Sequence, residues 1–280
     1  MATDLQMRDP EPEAFAHLLV PQGSVCWWCQ QRPATTGEHK FKRTDLARLM
    51  MPGNTLIYGA DGTSVVKEIR GKSGITRDRH KVIKFPKSMC EPCNNGRSKP
   101  FDEAYEIFSS YVDSYWLRIA PGVSFVDIYG PAWKDATLNL ARYYGKHFGC
   151  RMARSGLPIP QSLRDFLNGD NDMHDAHMAL ITTDSVRKQY GKGLYISPDY
   201  IVSDGGRTRF KEYVLAAYIG AIGVRYQWSE TEIPDRSQFF HFPGPVLNCF
   251  RNEADVATGS TRRQGWFARF SQWLNKPADD

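Results

Sequence analysis

The sequence predicts an α+β fold in which a small module held together by cysteines precedes a larger α+β domain. Two C-x-x-C pairs frame the first module, and short runs of β-forming residues lie between them. Beyond the second pair, two stretches with apolar residues at helical spacing are followed by strand-like runs. This order predicts an N-terminal arm over residues 1–22, the cysteine module over residues 23–103 and the α+β domain over residues 104–280.

The composition is that of a globular protein. The chain has 280 residues, of which 41% are hydrophobic and 12% aromatic, so it can bury a core and is not mainly disordered. The longest apolar run, residues 213–224, has 12 residues and is interrupted by two glycines, which is too short for a membrane span. The N-terminus is acidic and lacks a basic-then-apolar leader, so we expect a cytoplasmic protein without a membrane partner.

Positive charge is concentrated in about a quarter of the chain. Residues 30–100 hold 15 Lys and Arg against 6 Asp and Glu, whereas residues 1–29 are acidic and residues 101–280 carry a net charge of −1. A basic segment beside a nearly neutral body is typical of a protein that binds a polyanion. A solvated basic face is the alternative that the charge alone leaves open.

Four of the six cysteines frame this basic segment as two pairs, Cys26 with Cys29 and Cys90 with Cys93. In a reducing compartment such pairs are typical of a tetrahedral zinc site, because the two-residue spacer lets both sulfur atoms of a turn face one ion. A thioredoxin-like redox pair is disfavoured by the second pair and by the lack of a clear βαβ context. We therefore expect structural Zn²⁺ on these four thiolates and place Cys150 and Cys249 in the core.

A short motif follows each cysteine pair. Residues 36–43 read TGEHKFKR, and residues 93–102 read CNNGRSKPFD. Together with the paired cysteines, these motifs resemble those of the HNH endonucleases, the zinc-knuckle branch of the ββα-metal nucleases, over roughly residues 24–103. The resemblance implies a treble-clef zinc module and a metal-dependent endonuclease that hydrolyses phosphodiester bonds of nucleic acid, with DNA as the expected substrate.

The resemblance also implies roles for individual residues. His39 matches the general base that activates water, and Glu38 matches the acidic metal ligand before it. Asn94 matches the ligand on the following helix, with Asn95 as the alternative if the helix register is shifted by one. The oxygen atoms of these ligands imply a catalytic Mg²⁺ or Mn²⁺ ion in addition to the zinc.

One family position differs in this chain. The family has an asparagine about five residues before the third cysteine, where this sequence has Phe85, and His80 is a candidate substitute ligand. Because that asparagine normally supports the loop that carries the histidine, a catalytically decayed, zinc-stapled nucleic-acid-binding protein is the alternative function. A third hypothesis is a purely structural zinc module beside an unrelated activity in residues 104–280.

The residue types fit phosphodiester hydrolysis on general chemical grounds. Histidine has an ordinary pKa of about 6.5 and can therefore deprotonate water near neutral pH. A carboxylate and an amide oxygen leave positions around a hard cation open to phosphate and water. Neighbouring residues on a strand point to opposite faces, so Glu38 and His39 can serve one site only where the strand is irregular, which Gly37 permits.

Five basic residues near the two motifs are candidate phosphate contacts. They are Lys40, Lys42, Arg43, Arg97 and Lys99. Such contacts position a nucleic-acid backbone without reading its sequence. Because a single site cuts one strand at a time, cleavage of both strands would need a homodimer or two sequential nicks.

The remaining elements follow from the pattern of apolar residues. Residues 52–87 alternate β-formers with glycine and charge, which predicts one or two short hairpins inserted between the cysteine pairs. Helical spacing covers residues 101–119 and 133–152, and strand-like runs occupy residues 178–182, 193–196 and 213–228. Residues 262–274 are basic and aromatic and predict a terminal amphipathic helix.

Overall fold

The chain forms a mixed fold of helices and sheets, as the sequence predicts. This computed structural model describes residues 16–21, 23–49, 56–60, 65–69, 84–115, 122–181, 194–196, 199–219, 222–231 and 246–248. Among these residues, no helix combines the length and the apolar character that crossing a membrane requires.

The N-terminal part consists of short elements around the cysteine pairs. Helix α1 (Arg43–Leu49) follows the first pair. Strands β1 (Leu56–Ala60) and β2 (Val65–Ile69) pair antiparallel, so the inserted hairpin is present. The second pair leads into a π-helical turn, Pro92–Arg97, and then into helix α2 (Lys99–Tyr115).

Two long helices form the centre of the protein. Helix α2 buries residues that recur at helical spacing, namely Phe101, Ala104, Tyr105, Phe108 and Val112. It packs against helix α4 (Trp133–Arg154), where the rings of Tyr105 and Tyr143 stack with their centroids 3.9 Å apart. The short helix α3 (Phe125–Tyr129) begins at Ser124, whose side chain accepts a hydrogen bond from the backbone N–H of Asp127. A 3₁₀ turn, Gly130–Ala132, joins α3 to α4.

The remaining elements form antiparallel sheets. Helix α5 (Gln161–Asn168) ends at Gly169, which adopts a positive φ of 133°. The main sheet contains β4 (Ala176–Ile181), β5 (Leu194–Ile196), β6 (Tyr200–Ser203), β7 (Phe210–Ile219) and β8 (Ile222–Ser229). Its strand order is β4-β8-β7-β5, with β6 also paired to β7. Strands β3 (Gly122–Ser124) and β9 (Val246–Asn248) form a separate pair.

One hydrophobic core connects the cysteine pairs with the main sheet. On one side of α4, Gly149 lies against Trp27, and a Cβ atom on this glycine would approach the indole ring to 2.3 Å. The ring of the neighbouring residue Phe148 lies 5.9 Å from Tyr213 and 5.2 Å from Tyr226 on the sheet, measured between centroids. Helix α4 is therefore the element that joins the two parts of the chain.

Several sequence-based expectations fall on residues outside the described ranges. They concern the beginning of the N-terminal arm, His80, Cys249 and the terminal helix over residues 262–274. The boundaries at residues 22 and 103 remain predictions.

Candidate functional site

The four paired cysteines lie together, as their spacing predicts. The Sγ atoms of Cys26, Cys29, Cys90 and Cys93 all lie within 4.8 Å of one another. The Cys29 and Cys90 sulfur atoms are 3.8 Å apart, and zinc bonded to sulfur at about 2.3 Å in a tetrahedron also places its ligands about 3.8 Å apart. The cluster can therefore bind a metal ion such as zinc.

Local backbone contacts shape the two cysteine turns. In the first turn, the N–H of Gln30 donates to the Cys26 carbonyl, and Gln30 itself adopts a left-handed φ of 53°. In the second turn, the N–H of Asn94 donates to the Cys90 carbonyl at 3.0 Å. An isolated antiparallel bridge between Thr36 and Met89 joins the segments that follow and precede these turns.

An open cavity of about 940 Å³ lies next to the cysteine cluster. Six of the sequence-predicted site residues line it, namely Glu38, His39, Lys40, Lys42, Asn94 and Asn95. Among the described residues, Arg43, Arg97 and Lys99 lie outside this lining. The fold therefore brings the two motifs together, although they are far apart in the sequence.

Two of the basic residues outside the cavity have other contacts. The Arg97 guanidinium lies 4.6 Å from the Trp28 ring centroid and donates to Asn168 Oδ1 at 2.6 Å. Its Nη1 also lies 3.8 Å from Cys93 Sγ, so Arg97 supports the cysteine cluster rather than the cavity. Lys99 is exposed and pairs with Glu103 at 3.9 Å.

The predicted base and the residue before it differ in exposure. His39 is exposed at the cavity wall, whereas Glu38, which also lines the cavity, is buried. His39 and Lys84 form an isolated antiparallel bridge, and the N–H of Phe85 donates to the Glu38 carbonyl at 2.8 Å. Because this pairing is a single bridge, the segment is irregular and both residues border the same cavity.

The Glu38 carboxylate is held by helix α4. Its Oε2 atom lies 2.9 Å from Nζ of Lys146, whose side chain is completely buried. Its Oε1 atom lies 3.9 Å from Nε2 of His147. Burial, together with the nearby charges of Lys146 and Arg151, lowers the pKa of His147 well below its ordinary value, so this imidazole is neutral.

Lys146 also contacts the start of helix α2. Its Nζ atom lies 3.3 Å from Asp102 Oδ1 and 3.2 Å from the Ser98 hydroxyl. Burial alone lowers the pKa of Lys146, but the charges of Glu38 and Asp102 outweigh this effect and raise the pKa above its ordinary value. Asp102 has a second cationic partner, because Lys42 forms an ion pair with it at the cavity edge.

The two asparagines after the second cysteine pair differ. Asn94 lies inside the π-helical turn that begins at Pro92, and its side chain is buried. Its Oδ1 atom has no hydrogen-bond partner within the described part of the chain, although it is fully shielded. Asn95 is exposed and lines the cavity. An unpaired amide oxygen of this kind is a suitable ligand for a hard cation.

The cavity is electropositive. Five cationic side chains line it, namely Lys40, Lys42, Lys84, Lys87 and Arg154. The two carboxylates in the lining, Glu38 and Asp102, have ammonium partners. Among the described lining residues, cationic side chains thus outnumber carboxylates, which favours a phosphate-bearing ligand.

The expected divalent cation fits one of its two predicted ligands. Asn94 offers an unpaired oxygen, as described above. Glu38 does not fit, because the ammonium of Lys146 occupies the space beside its carboxylate and would repel a second cation.

Lys146 and Asp102 are the functional candidates that the sequence analysis missed. Both lie on predicted helices, where a charged residue is usually solvent-facing. A lysine on the apolar side of the α4 pattern was the available signal, because buried lysines are rare unless they are paired. No family model, curated protein or solved structure matches the chain, so the function is argued from these side chains alone.

Proposed function

We propose that this protein is an HNH-type endonuclease that hydrolyses phosphodiester bonds of DNA, with a zinc-bound treble clef as its scaffold. The observation that carries the proposal is the position of His39, an exposed imidazole in the wall of an electropositive cavity that Asn94 and Asn95 also line. The converging cysteine pairs and the helix that follows the second pair support the treble clef.

The residues of the cavity suggest how the reaction proceeds. The lysines that line the cavity, among them Lys42 and Lys84, bind and neutralise the phosphate. The imidazole of His39 takes a proton from a water molecule, whose oxygen attacks phosphorus. The bond from phosphorus to the leaving oxygen breaks, and that oxygen takes a proton from solvent. His39 then releases its proton and returns to its neutral form.

A divalent cation at the scissile phosphate would supply further neutralisation of the charge that develops on the phosphate. Asn94 is the residue that fits such an ion, and Glu38 fits it only if Lys146 is displaced. The steps assigned above to His39 and the lysines do not depend on this ion.

A second function, a nucleic-acid-binding protein without catalysis, is favoured by two observations. Lys146 occupies the carboxylate expected to hold the metal. The position of the family's central asparagine holds Phe85, which is buried against the His147 ring, with the two centroids 6.1 Å apart. This protein would keep the zinc cluster and the electropositive cavity and would bind DNA in a salt-dependent manner.

Incubation with supercoiled plasmid distinguishes the two functions. We expect zinc-loaded wild-type protein to nick the plasmid in the presence of Mg²⁺ or Mn²⁺ and the His39→Ala variant to be inactive. His174→Ala removes another exposed histidine, outside the cavity lining, and serves as the matched control. Equal inactivity of wild type and His39→Ala, with salt-sensitive DNA binding retained, would favour the binding protein. Linear product without nicked intermediates would indicate a homodimer.

A further inference from the structure

The ammonium group of Lys146 lies between the two residues predicted to share a metal ion. It contacts Oε2 of Glu38 at 2.9 Å and the Ser98 hydroxyl at 3.2 Å. The same hydroxyl donates to the main-chain carbonyl of Asn94 at 2.5 Å. A single chain of contacts, centred on a side chain from helix α4, therefore joins the acidic motif to the turn that follows the second cysteine pair.

The surroundings of this ammonium resemble those of a bound cation. Four oxygen atoms lie within 3.4 Å of Nζ, and they come from Glu38, from both carboxylate oxygens of Asp102 and from Ser98. Carboxylate and hydroxyl oxygens are the ligands that hard divalent cations prefer. The distances of 2.9 to 3.4 Å suit an ammonium group, whereas Mg²⁺ would need the oxygens at about 2.1 Å.

We propose that Lys146 is a tethered cation that serves this site in place of a divalent ion on Glu38. Its ammonium neutralises Glu38 and Asp102 and fixes both carboxylates in the cavity wall, so that lysines of the same lining such as Lys84 and Lys87 can bind phosphate. Lys146 is fully buried and does not line the cavity, so it is a positioning residue and not a catalytic one. This inference rests on the proposed function, because it concerns the charge of the same site.

Lys42 provides the matched control for this role. It also pairs with Asp102, and its ammonium lies 5.4 Å from the Tyr143 ring centroid. Within the described part of the chain Lys42 forms no ion pair with Glu38, so its loss should leave the Lys146–Glu38 pair in place. Lys42→Met therefore shows the general effect of removing one positive charge near Asp102. Only Lys146→Met also removes the cation that pairs with Glu38.

Binding of Mn²⁺ to the full zinc-loaded chain, followed by electron paramagnetic resonance, tests the inference. Lys146→Met is shorter by one atom and removes the charge, so we expect it to bind one Mn²⁺ at least about tenfold more tightly than wild type. This gain should disappear in the double variant Lys146→Met/Glu38→Gln and be absent from Lys42→Met. A folded Lys146→Met protein without the gain would overturn the proposal.

A comparison that leaves Lys146 in place covers the case in which Lys146→Met does not fold. Wild type and Glu38→Gln should bind Mn²⁺ equally, because Lys146 excludes the ion from Glu38. Weaker Mn²⁺ binding by Glu38→Gln than by wild type would show that Glu38 is a metal ligand beside Lys146, and it would overturn the proposal. Neither measurement uses DNA cleavage, so a failed plasmid assay leaves these results interpretable.

Discussion

Gly37 lies so close to the main-chain carbonyl of Phe85 that a Cβ atom on Gly37 would be 2.2 Å from its oxygen. The carbonyl oxygen of Pro86 would also be within 3.1 Å of that Cβ atom. Backbone atoms cannot move aside as a flexible side chain can. This contact holds the His39 segment beside the segment that precedes the second cysteine pair, and it admits only glycine at position 37.

The substitution Gly37→Ala should therefore displace the His39–Lys84 bridge. We expect the free energy of unfolding to fall by about 1–3 kcal/mol, because an added methyl group overpacks this contact. Gly96→Ala is the control, since a Cβ atom there meets nothing within 4 Å; it should be neutral or stabilise by up to about 1 kcal/mol. Urea unfolding of the zinc-loaded proteins measures both. Similar stability of the two variants would contradict the close contact.

The contact around Gly37 illustrates which features the sequence could predict. The spacing of cysteines and of apolar residues is local, and it predicted the cysteine cluster, helices α2 and α4, and the parts of the main sheet that contain β4, β5, β7 and β8. The residues that face one another across these elements depend on tertiary packing. The sequence alone could not show that Lys146 of α4 reaches Glu38, which lies 108 positions earlier in the chain.

The sequence also could not predict the order in which the strands pair. Three strand-like runs were identified, but the run over residues 213–228 divides into β7 and β8, which pair with each other. The short strand β6 was not predicted, and it pairs with β7 beside β5. Short strands carry little periodic signal, because they are fixed by hydrogen bonds to neighbours that are distant in the sequence.

Asn168 connects both sides of the cysteine cluster to helix α5. Its Oδ1 atom accepts hydrogen bonds from Trp28 Nε1 at 2.8 Å and from Arg97 at 2.6 Å. Asn168→Ala removes both, and we expect the free energy of unfolding to fall by about 1–3 kcal/mol. We also expect zinc transfer to a chromogenic chelator to become faster, because Arg97 no longer holds its position near Cys93. Asn168→Asp keeps the acceptor and should release zinc at a rate close to wild type.

The cysteines differ in what their replacement should do. Cys93 is one of the four clustered residues, so Cys93→Ser should lose stoichiometric zinc and much of the folded structure. Cys150 is buried in α4, and burial raises the pKa of its thiol to about 12, which keeps it protonated. Cys150→Ala should keep its zinc and lose only about 1 kcal/mol of stability. Elemental analysis and circular dichroism check both, and full zinc content in Cys93→Ser would exclude the four-cysteine site.

The buried pair Tyr105 and Asp45 predicts a pH dependence. The Tyr105 hydroxyl donates to Asp45 Oδ2 at 2.7 Å, and Arg48 donates to the other oxygen at 3.2 Å. Burial raises the pKa of Asp45 above its ordinary value, and the hydrogen bond from Tyr105 and the charge of Arg48 offset this only in part. The folded protein thus binds this proton more tightly than the unfolded chain does. The contribution of Asp45 to stability is full below its ordinary pKa of about 4 and is lost as the pH rises through the raised folded value.

The variant Asp45→Asn lacks this titration and keeps an acceptor for Tyr105. We therefore expect the stability of Asp45→Asn to increase relative to that of wild type as the pH rises from about 4 to 7. The measured quantity is the free energy of unfolding of the variant minus that of wild type, and it should become more positive. Asp113→Asn replaces an exposed carboxylate on α2 and should show a flat difference over the same range. Both comparisons use zinc-loaded protein, so the pH dependence of metal binding cancels between variant and wild type. A difference for Asp45→Asn that stays flat, or that moves in the opposite direction, would mean that Asp45 is charged in the folded protein throughout this range.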